Sequence, residues 1–332
     1  MAKYHVYGMG NALVDLEFKV EPKFFTDNNI EKGLMTLIDE DRHHEVFRNL
    51  GKAQPDKMAC GGSAANTVIA ASQFGSNAFY SCKVSQDSFG EFYVKDLGKN
   101  KVDSNLKPDS LYEGHTGKCI VMVTPDADRT MNTYLGITGT YSYEQMDEAA
   151  LTSSQYLYIE GYLVTSENGK AAMIKARDKA REKDVKVALT LSDPGIVNFF
   201  KSGFLEVIGD GVDLIFCNEE EAMSITETDN INDAREGLKK FAKRFAITQG
   251  KNGAMIFDGD TFIDIEAYPV EAIDTNGAGD MFAGAFLYAL TDGHGYASAG
   301  RFASLASSKI VQTFGPRLSQ EVMNELKSGF KF

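Results

Sequence analysis

No run of eighteen apolar residues occurs in this chain of 332 residues, which leaves no candidate for a membrane-spanning helix. The opening MAKYHVYGMGNALVD holds no apolar run long enough for a secretory signal. Cysteine is scarce: Cys60, Cys82, Cys119 and Cys217 stand far apart and form no CxxC pair. Zinc and disulfide scaffolds are therefore not expected, and reduced thiols in a cytoplasmic protein are. Positive charge is also short, with 34 bases against 47 acids and a formal net charge of −13. That balance argues against nucleic acid or a membrane surface as partner, and any anionic ligand must be held by local features working against the global field. His5, His43, His44, His115 and His294 show no metal-ligand spacing, and there is no HExxH, no GxSxG and no internal repeat.

What is present is ample apolar content, 43%, over a length that suits one large domain with a small appendage. A first strand is predicted over Tyr4 to Met9. From Ala12 to Val20 apolar residues alternate with Asp15, Glu17 and Lys19, the period of a strand with one wet face. Lys118 to Thr124 and Thr130 to Leu135, joined by a turn-like PDAD, form a second such patch, and the two regions are expected to pair as a small separate sheet. Beyond about residue 155, YLYIEGYLV, VKVALTL, VDLIFCN and RFAITQG are short continuous apolar runs, as in strands buried on both faces. Helical stretches such as Gly169 to Lys183 and Ile231 to Lys243 separate most of them, which predicts a parallel sheet covered by helices. Ligands in such folds bind beyond the carboxyl ends of the strands, where GNAL, SDPG, CNEEE and TQGKNG fall. The fold class is α/β with a small β appendage.

Two familiar phosphate motifs fail on inspection. GMGNALVD opens like a dinucleotide fingerprint, but Leu13 stands where the third glycine belongs and a strand follows instead of a helix. The pair Gly117-Lys118 is followed by Cys119, and Tyr112 replaces the first glycine of a P-loop. The stretch DTNGAGD, Asp274 to Asp280, is different. Asp274, Thr275 and Asn276 are capping residues, Gly277 and Gly279 permit close backbone approach, and an apolar helix follows to about Leu290. Unpaired N–H groups at such a start attract anions, yet Asp280 brings a carboxylate to the same place. A capped helix with an acid in its first turn would also fit. The apolar helix is expected to be buried, and a buried start with a carboxylate calls for a reason. Phosphoryl transfer supplies one: N–H groups hold the transferring phosphoryl oxygens while a carboxylate accepts the proton of the attacking hydroxyl.

DTNGAGD resembles the C-terminal signature of the ribokinase-type (PfkB) carbohydrate and nucleoside kinases, and GGSAANTVIAASQFG, Gly61 to Gly75, resembles their N-terminal glycine-rich signature. GNALVD, VSQDSFGEF, DADRTMNTYLG, NEEEA and TQGKNGA extend the likeness over nearly the whole chain. The resemblance implies a single ribokinase-like domain over 1–332: a three-layer αβα arrangement with a mainly parallel central sheet, plus a β-sheet lid from roughly 12–22 and 110–137. It also implies an ATP-dependent phosphotransferase acting on a primary hydroxyl.

By that resemblance Asp280 is the general base and Asn276, Gly277, Ala278 and Gly279 the anion hole. Asp15 is the acid that grips sugar hydroxyls, with Asn11, Gly61, Gly62, Ser63 and Asn66 as companions. Taken alone, Asp15 reads as a solvated strand residue, Ser63 as a helix N-cap and Asn66 as an ordinary first-turn residue. Arg129 belongs to the lid stretch and is expected to swing over the phosphates on closure; a solvated turn arginine is the other reading. Asn218 and Glu221 resemble the family's N-x-x-E motif, which influences Mg²⁺ and phosphate binding, and could otherwise be routine residues at a helix start. Thr248, Gly250, Gly253 and Thr275 match the nucleotide region. The implied cofactors are ATP and Mg²⁺, with K⁺ beside the anion hole left open. The partners are a small-molecule sugar or nucleoside and ATP, in a monomer or a homodimer joined through the lid. The spelling DTNGAGD, the GNALVD opening and residues 24–47 resemble the adenosine-kinase branch, which makes adenosine the expected acceptor; ribose, fructose or 2-keto-3-deoxygluconate is the alternative, and a non-catalytic regulator a further one. Leu16, Phe18 and Tyr134 are the candidates for a purine wall on the lid.

Overall fold

The apolar runs become strands almost where the pattern puts them. The computed structural model describes residues 2–33, 35–51, 54–108, 111–125 and 129–332. Its first strand, β1 (Tyr4–Met9), is followed by β2 (Leu13–Lys19), β3 (Met35–Leu37), β4 (Lys57–Gly61), β5 (Ala78–Ser81), β6 (Val102–Ser104), β7 (Gly117–Val123) and β8 (Arg129–Tyr134). The second half adds β9 (Ser154–Ile159), β10 (Lys186–Thr190), β11 (Leu214–Asn218), β12 (Phe245–Thr248), β13 (Ala254–Phe257) and β14 (Phe262–Ile265).

Nine of these strands form one sheet in the order β14-β13-β12-β11-β10-β9-β1-β5-β6. Pairing is parallel from β6 to β12, and only the β12–β13 and β13–β14 pairs are antiparallel, so β13 alone is reversed. Both faces are covered. Val6 of β1 packs into a core with Tyr80, Phe286 and Phe302, whereas Tyr7 and Met9 point into a second core with Leu157, Val187 and Phe204. The strand order reverses at β1, since the chain moves outward through β5 and β6 before returning to build β9 through β12 on the other side. Such a switch point opens a crevice at the carboxyl ends of the strands.

The lid is a five-stranded sheet, β3-β8-β7-β2-β4. It contains the two stretches expected from the alternation, β2 with β7–β8, and recruits two more, Met35–Leu37 and Lys57–Gly61, whose short or polar runs carry no clear period. Of the expected PDAD turn, residues 126–128 lie outside the described residues. In β2 the apolar set Val14, Leu16 and Phe18 is fully buried in the main core with Ile120, Met122 and Val46. Leu16 and Phe18 therefore do not wall the ligand cleft, and Tyr134 also turns away, its hydroxyl on Glu40 at 3.1 Å. The face predicted to be wet is the cleft face.

One helix is shorter than its pattern: Ile231–Leu238 ends before Lys243, because Phe241 O accepts from Val212 N at 2.9 Å and draws the chain toward β12. The Ala278–Thr291 helix follows its pattern, buried from Met281 to Ala289. It lies tight against the Ser63–Phe74 helix, where a side chain on Gly284 would come within 2.5 Å of Thr67 O. That close approach brings the two glycine-rich signatures, more than 200 residues apart in the chain, to one point.

Candidate active site

A cleft of about 590 Å³ opens at the carboxyl ends of β1, β9, β10, β11 and β12, beneath the lid. At its centre Asp280 receives two hydrogen bonds from the other glycine-rich signature. Ser63 Oγ donates to Oδ1 at 2.6 Å and Asn66 Nδ2 to Oδ2 at 3.1 Å. Burial pushes the Asp280 carboxyl up to about 6, and the Ser63 and Asn66 hydrogen bonds with the more distant charge of Arg317 hold it from rising further. Ser63 is not the cap of its helix; Gly62 takes that position at φ +101°, where an added Cβ would lie 2.2 Å from Asn11 O. The hydroxyl that sequence rules assign to capping is thereby free for Asp280.

Asp15 projects from the cleft face of β2 into the space beside Gly61, where a side chain would collide with its carboxylate at 2.1 Å. Burial raises the Asp15 carboxyl to about 7 against the pull of Arg317 and Arg129. It is a half-buried acid on the cleft face and not a solvated strand residue.

A third acid was not anticipated. Glu160, just after β9, is 1% exposed and accepts from Asn11 N at 3.1 Å, Asn11 Nδ2 at 3.0 Å and Ala64 N at 2.8 Å. It too is pushed up to about 7 by burial. The signal was a lone carboxylate in the apolar run YLYIEGYLV, since an acid in such a strand needs several donors to be tolerated. It pins the GNAL turn to the start of the Ser63–Phe74 helix, so Asn11 and Ser63 are set by one side chain.

The expected anion hole has fewer unspent donors than its four-residue motif. Asn276 N–H is spent on Asp274 Oδ1 at 3.0 Å and Ala278 N–H on Thr275 O at 3.2 Å. The first helical bond is Met281 N to Gly277 O at 2.8 Å, and Gly277 and Gly279 line the cleft ahead of it. Their amides are placed where a helix start presents unspent donors. The body of the helix is buried but its start is not: Gly279 is exposed to the cleft.

Arg129 is not poised over the cleft. Its Nη2 lies 2.6 Å from Asp274 Oδ2 and 3.5 Å from Glu17 Oε2, with the side chain 8% exposed. Asn218, Glu221 and Thr248 do line the cleft. Asn218 and Glu221 form a reciprocal cap, Glu221 N to Asn218 Oδ1 at 2.8 Å and Asn218 N to Glu221 Oε2 at 3.1 Å. Glu221 is raised to about 7 by burial. Gly250 and Gly253 belong to the β12–β13 connection, where Gly253 at φ +95° packs against Ile265 O. Thr275 is exposed beside the hole.

Among the described residues no three His, Cys, Asp or Glu side chains gather as a metal cage. Asn218 and Glu221, an amide and a carboxylate lining the cleft, are the residues that would hold through water a Mg²⁺ arriving on a nucleotide. No helix of the described residues is long and apolar enough to cross a membrane, and all four cysteines are free and buried.

Residues 33–323 match the pattern of the pfkB family of carbohydrate kinases. The solved structure of an adenosine kinase from Sinorhizobium meliloti superposes with a TM-score of 0.91 at 32% identity, covering 99% of this chain and 100% of that one. A probable sugar kinase from Rhizobium etli gives 0.90, also at 32% identity, over 99% of each chain. An adenosine kinase of Saccharomyces cerevisiae is 24% identical over 339 residues, 96% of this chain and 98% of its own.

Proposed function

Because the chain belongs to the pfkB family of carbohydrate kinases, and is thereby a phosphotransferase with a sugar or nucleoside acceptor, we propose that it moves the γ-phosphoryl group of ATP to the 5′-hydroxyl of adenosine. One observation carries the choice of a nucleoside. Leu13, Met35, Leu37, Met131 and Leu135, all on or beside lid strands, line the same cleft as Asp15, Asn66 and Asp280. An aliphatic and thioether wall suits the flat faces of a purine, whereas a free sugar would be enclosed by polar contacts. Of two relatives that each cover 99% of this chain, one is an adenosine kinase and the other a probable sugar kinase, which fits a shared ribose site with a variable neighbour.

In this reading Asp15 accepts hydroxyls of the ribose and turns its 5′-hydroxyl toward Asp280. Asp280 takes the hydroxyl proton as the new O–P bond forms and the bond between the β and γ phosphates breaks, releasing ADP. The amides of Gly277 and Gly279 receive the charge that gathers on the transferring phosphoryl oxygens, already oriented and therefore without reorganisation cost. Ser63 and Asn66 hold the carboxylate in place, and Mg²⁺ on the nucleotide neutralises phosphate charge.

The test is ADP release with Mg-ATP across adenosine, inosine, guanosine, ribose, fructose and 2-keto-3-deoxygluconate, in Na⁺ and in K⁺ buffers, with Asp280→Asn as control. A strong, Asp280-dependent signal with adenosine supports the proposal. Turnover of a free sugar alone would keep the chemistry and overturn the acceptor.

A further inference from the structure

We propose that Arg317 is a positioning residue for phosphoryl transfer: its guanidinium fixes the Asn66 amide so that the amide donates to the Asp280 carboxylate. The inference rests on the reading of Asp280 as the base.

Arg317 reaches three separate elements. Its Nε donates to Asn66 Oδ1 at 3.3 Å, on the glycine-rich helix. Its Nη1 lies 2.7 Å from Asp96 Oδ2, on the Ser88–Lys99 helix. Its Nη2 donates to the carbonyl of Cys60 on β4, one residue before Gly61. Asp96 closes the ring by accepting from Cys60 N at 3.2 Å. The pair is largely withdrawn from water, with side chains 15% and 18% exposed.

The two ends of an asparagine amide are almost the same size, so packing cannot choose between them; hydrogen bonds must. With an obligate donor on Oδ1, the Nδ2 end faces Asp280 Oδ2 at 3.1 Å. Turned over, the amide would set its oxygen against the carboxylate of the base. Arg317 cannot serve as acceptor, so it enforces one orientation.

The neighbouring residues serve the same end of the cleft. Gly315 N donates to Asp274 Oδ2 at 2.8 Å, and Pro316 abuts Gly277, where an added Cβ would come within 2.8 Å of it. Three consecutive residues thus support the anion hole and the base together. The groups that face Asp280 are Ser63 and Asn66, Asp15 from β2, Tyr158 and Glu160 at β9 and Tyr162 just beyond. Against these acids and phenols, Arg317 is a cation whose field reaches both Asp15 and Asp280.

The experiment compares Arg317→Lys, Arg317→Met, Asn66→Ala and Arg317→Lys/Asn66→Ala with the parent enzyme. It measures kcat and KM from pH 5 to 9 with Mg-ATP and whichever acceptor the panel identifies. Lysine keeps the charge without the fork, and it carries the test should the methionine variant fail to fold, as judged by thermal melting. Arg317→Lys is expected to lower kcat about 10- to 100-fold, as for a misplaced catalytic group, with KM for ATP nearly unchanged. Arg317→Met should also move the acid limb of kcat up by about one pH unit, since a nearby cation favours the ionised base. In the Asn66→Ala background Arg317→Lys should add less than about twofold, because the partner through which it acts is gone. Multiplying losses, or unchanged acid limbs in both Arg317 variants, would overturn the inference. Activity surviving Asp280→Asn would instead overturn the base assignment on which it rests.

Discussion

Arg129 Nη2 stands 2.6 Å from Asp274 Oδ2, joining the first residue of a lid strand to the loop that leads into the anion-hole helix. The same carboxylate accepts Asn276 N–H on Oδ1 at 3.0 Å and Gly315 N–H on Oδ2 at 2.8 Å. With exposures of 8% and 3%, the pair is a buried tie between lid and hole. We expect Arg129→Gln to lower kcat about 10- to 100-fold by loosening that loop. It should also cost about 3–5 kcal/mol of stability, the usual result of leaving a buried charge unpaired. Asp274→Asn should behave alike, and the double variant should be no worse than the worse single one. Steady-state kinetics and urea unfolding read both effects; additive losses would mean that the two residues act separately.

Replacing Asp280 by Asn keeps its shape and the Ser63 and Asn66 neighbours but removes the proton acceptor. Turnover should fall about 10²–10⁴-fold, the range for losing a general base. Nucleotide affinity, measured by calorimetry, should change little. Full turnover in this variant is incompatible with the mechanism.

The pH dependence follows from the raised carboxyls. Asp280 must be ionised to accept a proton, and its pKa lies near 6, with Asp15 near 7. Activity is therefore present above these values and lost as pH falls through them. A plot of kcat/KM against pH should be level above about pH 7.5 and fall on the acid side between about pH 7 and 6, as the free enzyme's groups protonate. A profile flat down to pH 5 would show that neither acid is needed in its ionised form.

Asp15→Ala should raise KM for the acceptor at least tenfold while KM for ATP stays within about twofold, because a lost charged hydrogen bond costs roughly 1.5–3 kcal/mol. Equal weakening of both substrates would point to a disturbed lid strand rather than a lost contact.

His43 offers a stability prediction away from the cleft. It is 3% exposed, stacks on Phe47 with ring centroids 6.2 Å apart, and neither ring nitrogen has a hydrogen-bond partner. Burial, with Lys118 and His44 nearby, lowers it to about 4. The native state thus holds the neutral ring while the unfolded chain takes up a proton below about pH 6.5, so stability is present above that pH and lost as pH falls toward 4. His43→Phe should reduce the loss by about 1–2 kcal/mol at pH 5. Urea midpoints at pH 7.5 and 5 provide the check, and equal spacing for both proteins would count against it.

Periodicity alone located β1, β2, β7, β8 and β9 to β12, because a buried parallel strand must be apolar throughout and a half-buried one must alternate. It missed β3 to β6, β13 and β14: strands as short as Met35–Leu37 carry too few residues to show a period, and their pairing comes from distant partners. The purine wall shows the same limit. Alternation identifies two faces of β2 but not which one meets the cleft; the face with Leu16 and Phe18 went to the core, and the cleft took Asp15 with leucines and methionines of the lid strands.

The residues proposed to carry the chemistry are legible in the sequence, because a helix start with small residues and a carboxylate six positions after the first aspartate is a local feature. Their partners were not. Ser63 and Asn66 meet Asp280 across more than 200 residues, Glu160 reaches back to Asn11, and Arg317 reaches Asn66 from near the other end of the chain. Hydrogen bonds are short and directional, so such contacts exist only once the packing of the two glycine-rich helices has set them to within a few tenths of an ångström. Arg129 marks the boundary most clearly: its charge could be read from the chain, but its pairing with Asp274 depends on where the packing sets the lid.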